Sequence, residues 1–188
     1  MGISSKSLNK NHSGYDFEKD IEKTFAAYDK AQIARLAMMP RPTRVIGMIN
    51  NRPNIVLAGK PPFDVYGYLY RDAITVGAEL KASKRKTSLP IVAPDKSGDG
   101  IQYHQLDALA GLAQCGGIAR IIWNNGGEIG VIRNDDIITA WTTYNHAFKS
   151  ERSGKNVPFG SKSITWDVFK PVDYTAMWGT VGIDWLML

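Results

Sequence analysis

The stretch from Phe63 to Leu80 constrains this chain more than any other. Phe63–Leu69 and Ile74–Leu80 both alternate apolar and polar positions, the period of a strand, and Tyr70–Ala73 joins them as a short link. With the hairpin centred between Arg71 and Asp72, antiparallel pairing sets Asp64 opposite Glu79, Val65 opposite Ala78 and Leu69 opposite Ile74. The faces then separate. Val65, Leu69, Ile74, Val76, Ala78 and Leu80 share one side, which packs; Asp64, Tyr66, Tyr68, Thr75, Glu79 and Lys81 share the other, which is expected to face a substrate. Arg71-Asp72 is not a favoured two-residue turn, but a loop lengthened symmetrically keeps the same register.

Around this hairpin the periodicity predicts helices and further strands. Phe17, Ile21, Phe25 and Tyr28 recur at helical spacing and predict an amphipathic helix over Tyr15–Leu36, capped near Ser13. Met39–Pro62 carries Pro40, Pro42, Pro53, Pro61 and Pro62 around two β-branched pieces, Val45–Ile49 and Ile55–Leu57, and reads as an extended excursion. After a Gly- and Pro-containing loop, Gln102–Ala113 predicts a second helix, with Gly117–Trp123 following as a buried strand. Asn124-Asn125-Gly126-Gly127 marks a turn, and Glu128–Ile132 returns as the partner strand. Asp135 or Asp136 is placed to cap a third helix bearing Ile137, Trp141, Tyr144 and Phe148. Lys149–Lys162 reads as a polar loop and Ser163–Phe169 as a final strand. The order gives an α/β chain, a mixed central sheet flanked by helices.

At 188 residues the sequence suits one domain, 14–188, behind a polar tail, 1–13, that is expected to be loosely ordered. A 44% hydrophobic and 22% charged composition excludes disordered and fibrous classes. The single cysteine, Cys115, excludes an intrachain disulfide framework and a cysteine-rich zinc site, in keeping with a reducing cytoplasmic setting. No apolar run approaches the roughly 20 residues of a membrane span, and no signal peptide is expected from the polar segment Ser4–Ser13.

Charge is regional. Against a net charge of +5, the interval between Asp29 and Asp64 holds Lys30, Arg35, Arg41, Arg44, Arg52 and Lys60 with no acid, and Lys84, Arg85 and Lys86 follow Lys81 unopposed. Cations gathered in this way displace counterions from phosphates, the ordinary source of salt-dependent affinity for nucleic acid; a solvated, solubilising surface is the plainer reading.

Two carboxylates set opposite each other on one sheet face repel, so Asp64 and Glu79 make chemical sense with a cation between them. Oxygen ligands favour Mg²⁺ or Mn²⁺, ions that polarise a phosphodiester and lower the pKa of bound water. Lys81, two residues beyond Glu79 on the same face, is placed to orient a water or neutralise a phosphorane. The plainer reading is a surface ion pair of Glu79 with Lys81, worth little.

The order of these features resembles a known family. Gly14-Tyr15-x-Phe17-Glu18 opening a helix, Asp64 before a glycine-containing strand, Glu79-x-Lys81, and His104-Gln105 opening a helix ahead of Gly117-Ile118 resemble the RecU-type Holliday-junction resolvases. These are homodimeric, Mg²⁺-dependent nucleases with a restriction-endonuclease-like PD-(D/E)xK core, from bacteria and their phages. The resemblance spans about residues 14–140. It implies metal ligation by Asp64 and Glu79, catalytic support from Lys81, and a polar role at the site for Gln105, with Glu18 as a fifth member. Glu18 reads equally as a helix N-terminal acid and Gln105 as a helix-surface amide, while His104 is either a proton carrier or an ordinary surface histidine. The counterpart of the family's projecting, junction-entering stalk is about 39–60, with Arg41, Arg44, Arg52 and Lys60 as DNA contacts alongside Lys84, Arg85 and Lys86. Trp166, Trp178 and Trp185 have no counterpart in the family pattern and read as core or dimer packing. Branched DNA is the implied substrate; nicked or duplex DNA, or a non-catalytic accessory role in recombination, are the alternatives.

Overall fold

A computed structural model of the chain describes residues 14–49, 52–57, 59–152, 162–177 and 180–186. The tail 1–13, with its Ser13 cap, lies outside the described residues, as do most of the 149–162 loop and Trp178. Helix α1 (Gly14–Lys30) buries Phe17, Ile21 and Tyr28 along one stripe. It stops six residues short of the expected Leu36. Gln32 takes a left-handed conformation (φ 55°), and Ile33 N–H closes the helix end on the Tyr28 carbonyl at 2.9 Å. From there the period switches to two, with Ala34 and Leu36 buried and Arg35 and Ala37 exposed, so Ala34–Met38 is strand β1.

Strands β2 (Thr43–Ile49) and β3 (Arg52–Leu57) follow as an antiparallel ribbon of their own, hydrogen-bonded among the described residues to none of the other three sheets. Strands β4 (Val65–Leu69) and β5 (Thr75–Ser83) then pair with Val65 opposite Ala78 and Tyr68 opposite Thr75, the register expected from the alternation. The loop between them is longer than a two-residue turn and spends a positive φ at Ala73, as symmetric lengthening requires. β1 adds antiparallel to β4. Gly67 permits that approach, since a Cβ there would stand 2.0 Å from the Arg35 carbonyl oxygen.

β5 next pairs in parallel with β8 (Ile118–Asn125), a pairing that demands a long crossover. The crossover contains two strands that short apolar runs did not reveal, β6 (Ser88–Val92) and β7 (Ile101–Gln102), and then α2 (Tyr103–Gln114). β9 (Glu128–Ile132) returns from β8 through Gly126 and Gly127, both at positive φ. Helix α3 spans Asn134–Arg152; it begins ahead of both expected caps, leaving Asp135 and Asp136 in its first turn, where the helix dipole favours acids. It also runs past Lys149, which was expected to begin a loop, because no Gly or Pro interrupts it before Gly154.

The expected strand Ser163–Phe169 is broken. β10 (Ser163–Thr165) pairs with β6, Trp166–Val168 forms a 3-10 turn, and β11 (Lys170–Pro171) joins the edge of β9. Trp166 and Phe169 stack on each other with centroids 5.5 Å apart and both rings meet Trp123, which residues three apart on one flat strand cannot do. A last ribbon, β12 (Tyr174–Met177) with β13 (Thr180–Ile183), completes the order.

The result is α/β: a mixed sheet, β1-β4-β5-β8-β9-β11, with α1 on one face and α2 and α3 on the other. Neighbours on β8 show the division, Ile122 joining the α1 side and Ile121 the α2 and α3 side. Trp185 packs edge-on to Tyr28 and gives its indole N–H to Thr24, so Trp166 and Trp185 serve packing, as expected. Among the described residues no helix is long and apolar enough to cross a membrane.

Candidate active site

The acid-bearing face of the hairpin is not an open surface. Helix α2 lies over β5 and β8 on that side, leaving Tyr66 and Tyr68 exposed near the sheet edge but taking Glu79 to 0% exposure. The expectation that this whole face meets substrate is corrected accordingly: apolar side chains of α2, among them Leu106 and Leu109, need a sheet to pack on, and β5 is central in the sheet.

Asp64 precedes β4 and is fixed three times over. Its amide donates to the Ala78 carbonyl at 3.0 Å, its carbonyl accepts from Met39 N–H at 2.6 Å, and its Oδ2 accepts from Leu80 N–H at 3.0 Å. The last contact draws its carboxylate toward β5, within reach of Glu79. Glu79 Oε1 accepts from Gln105 Nε2 and from Lys81 Nζ, each at 2.6 Å. Gln105 Oε1 in turn accepts from Lys81 Nζ at 3.2 Å and from Gln102 N–H at 2.9 Å, which anchors the start of α2 to the acids. Glu79 Oε2 is buried with no hydrogen-bond partner.

Burial is the main reason the Glu79 carboxyl is pushed up to about 8. The Lys81 ammonium pulls it down and the Asp64 charge pushes it further up. A buried carboxylate beside another acid carries a large desolvation cost when ionised; a proton held between Glu79 and Asp64 removes it in the metal-free chain, and a divalent cation bound between the two acids would remove it as well. The residues fit such an ion: Mg²⁺ commonly uses one or two carboxylates and keeps several waters. Among the described residues no group of three or more His, Cys, Asp and Glu side chains is gathered to hold a metal. Glu18 lies near Asp64: burial raises its carboxyl first, then the Asp64 charge, while the Arg41 charge lowers it.

The structure thus brings Asp64, Glu79, Lys81 and Gln105 together and sets Glu18 beside them. His104 is also close. Burial, with Lys60 and Lys81 nearby, holds its imidazole below the usual value, and its Nε2 is buried without a partner. The DNA-contact candidates lie in two places. Arg41, Arg44, Arg52 and Lys60 are exposed on or beside the β2–β3 ribbon, whose apolar residues Val45, Ile46 and Met48 are exposed as well, against the burial that an apolar run ordinarily signals. Lys84, Arg85 and Lys86 are exposed beyond the end of β5, and Arg85 is paired with Glu128 at 2.9 Å. One functional candidate had no signal beyond its turn: Asn125, 2% exposed, bonds the Lys86 backbone on both sides.

Compared with known proteins, the chain matches no family model and no curated relative.

The Glu79 environment has a measurable pH consequence. Its carboxyl is raised on folding, so the folded state binds the proton more tightly; metal-free stability is highest below the ordinary carboxylate range and falls as pH rises from about 4.5 to about 8. The fall is on the order of a few kcal/mol, each unit of raised pKa being worth about 1.4 kcal/mol. Denaturation midpoints across this range in EDTA should show the decline, and Mg²⁺ or Glu79→Gln should flatten it. A profile in EDTA indistinguishable from that of Glu79→Gln would contradict the assignment.

Proposed function

We propose that the chain is a metal-dependent endodeoxyribonuclease with a PD-(D/E)xK core that resolves four-way DNA junctions as a homodimer, like the RecU-type enzymes it resembles. One observation carries the reading: Asp64 and Glu79 meet across adjacent strands, and a buried Glu79 oxygen has no donor. Lys81 and Gln105 stand against the same carboxylate, the composition expected of a phosphodiester-cleaving centre.

Asp64 and Glu79 would hold Mg²⁺, or Mn²⁺ in its place. When bound there, the ion supplies charge neutralisation at the phosphate and a more acidic water. The chain's own residues do the rest. Glu79 and Gln105 hold the Lys81 ammonium at the edge of the acid pair, where its charge meets the phosphate oxygen that gains charge in the transition state. Gln105 donates to Glu79 and accepts from Lys81, so it keeps both groups in register as positioning residue. His104 stays neutral near pH 7 and its Nε2 can accept a proton. The ribbon of β2 and β3 presents arginines and no acid, which suits a place where phosphate backbones converge.

Incubating the purified protein with labelled four-way junction and with linear duplex, each with and without Mg²⁺, tests the proposal. Paired, symmetric nicks in the junction that need Mg²⁺ or Mn²⁺ are expected. Equal cutting of linear duplex would move the reading to another nuclease of the superfamily. Tight junction binding with no cutting in either metal would leave a non-catalytic accessory protein.

A further inference from the structure

A cavity of about 490 Å³ opens beside the acid pair, sharing Lys81 with it. Its size lies within the roughly 300–1,000 Å³ of small-molecule sites. Lys81, Lys84 and Lys86 line it against one acid, Asp99, while Leu89 and Pro90 supply apolar wall, backed by the fully buried Trp123. Such a mixture suits a ligand that is anionic at its ends and flat and apolar between.

The cationic side is built rather than incidental. Buried Asn125 accepts from Lys86 N–H at 2.7 Å through Oδ1 and donates to the Lys86 carbonyl at 2.8 Å through Nδ2. Both of its amide groups are therefore spent on one lysine's backbone. Trp123 gives its indole N–H to Ser83 Oγ at 2.9 Å, and the Ser83 carbonyl accepts from Gly126 N–H at 2.9 Å. The segment bearing Lys84 and Lys86 is thus tied to the β8–β9 turn at several points, which pre-organises a strand end that ordinary loop entropy would leave free. The opposite side is equally set: Gly100 has φ +143°, and a Cβ there would come within 2.3 Å of the Pro90 carbonyl oxygen.

We propose that this cavity seats one nucleotide of the strand being cut, the one next to the scissile phosphate. Its outer phosphate lies between Lys84 and Lys86, and its sugar and base lie against Leu89 and Pro90. The inference rests on the nuclease reading for the identity of the strand, but the cavity's preference for a nucleotide is testable without any cleavage.

The probe is thymidine 3′,5′-bisphosphate, which carries a phosphate on each side as a nucleotide within a strand does. Binding to the full chain in EDTA is measured beside inorganic phosphate and thymidine 5′-monophosphate. The bisphosphate should bind about tenfold more tightly than inorganic phosphate, and more tightly than the monophosphate. Two variants address the cavity. At Gly98, which lines it, a Cβ would meet nothing nearer than Val92 Cγ2 at 4.0 Å, so Gly98→Tyr adds bulk without displacing backbone. It should weaken the bisphosphate by about tenfold or more. Lys84→Ala with Lys86→Ala, both at exposed positions, should weaken it and reduce its salt dependence, and carries the test should Gly98→Tyr fail to fold.

Bisphosphate binding no tighter than phosphate, or unchanged in the double lysine variant, overturns the proposal; so does tighter binding of the monophosphate, which would mark a site for free nucleotides. The two readings fail separately. Cavity-dependent nucleotide binding in a chain that never cuts DNA sinks the nuclease reading alone, whereas Mg²⁺-dependent cutting with no nucleotide binding sinks the cavity assignment alone.

Discussion

Asp64→Asn and Glu79→Gln should each lower junction cutting by about 10³-fold or more, several kcal/mol of transition-state stabilisation disappearing with the metal. Junction affinity should stay within about threefold of the unaltered chain, because the exposed cations proposed to meet the phosphates lie on or beside the β2–β3 ribbon and after β5. Stability gives an independent reading. In EDTA and above about pH 8, where Glu79 is ionised, the wild-type acids repel each other across the strands while Glu79 is fully buried, so removing either charge should there leave the melting temperature unchanged or higher. A variant that loses cutting, binding and melting temperature together would show a folding defect and deprive the acid pair of its assigned role. Cutting that survives either substitution would end the nuclease reading.

The second large effect belongs to the ribbon. Replacing Arg41, Arg44 and Arg52 together by Ala should weaken junction binding by about 10- to 100-fold near physiological salt. It should also flatten the dependence on salt, by about 0.9 in logarithmic slope for each phosphate that is no longer neutralised. All three side chains are exposed, so the fold has little to lose. Affinity for linear duplex should fall less, since a ribbon that enters the junction, as proposed, would meet several backbones only where duplexes converge. An unchanged salt slope would remove the ribbon from the DNA interface.

How far these residues could be read in advance differs from one to the next. The Asp64–Glu79 pairing was legible because strand alternation has a period of two: a one-residue slip would have turned Val65, Val76 and Ala78 off the face that packs with α1, and the observed register keeps all three in that core. The extended basic excursion was legible because prolines exclude helix, and β2 and β3 cover both β-branched pieces expected there. The end of α1 was not legible. Ala34 and Leu36 extend a helical pattern and a strand pattern about equally well, and what decides between them is the edge of β4 with its open hydrogen bonds. The role of Gln105 was visible only as a boundary position on a helix, since its partners, Glu79 and Lys81, lie more than twenty residues away.

By itself the sequence determined the local periods, the register of the central hairpin, the placement of cations and the identity of the acids, all of which depend on residues a few positions apart. Only the tertiary structure decided that α2 covers the acid-bearing face, that Glu79 has no exposure, that Gln105 and Lys81 share one carboxylate oxygen, and that Asn125 holds a lysine-bearing strand end beside a cavity. The physical reason is that burial and desolvation depend on what packs above a surface. Helix α2 lies within the crossover of more than thirty residues that joins β5 to β8, and no local pattern encodes which sheet face the crossover lands on.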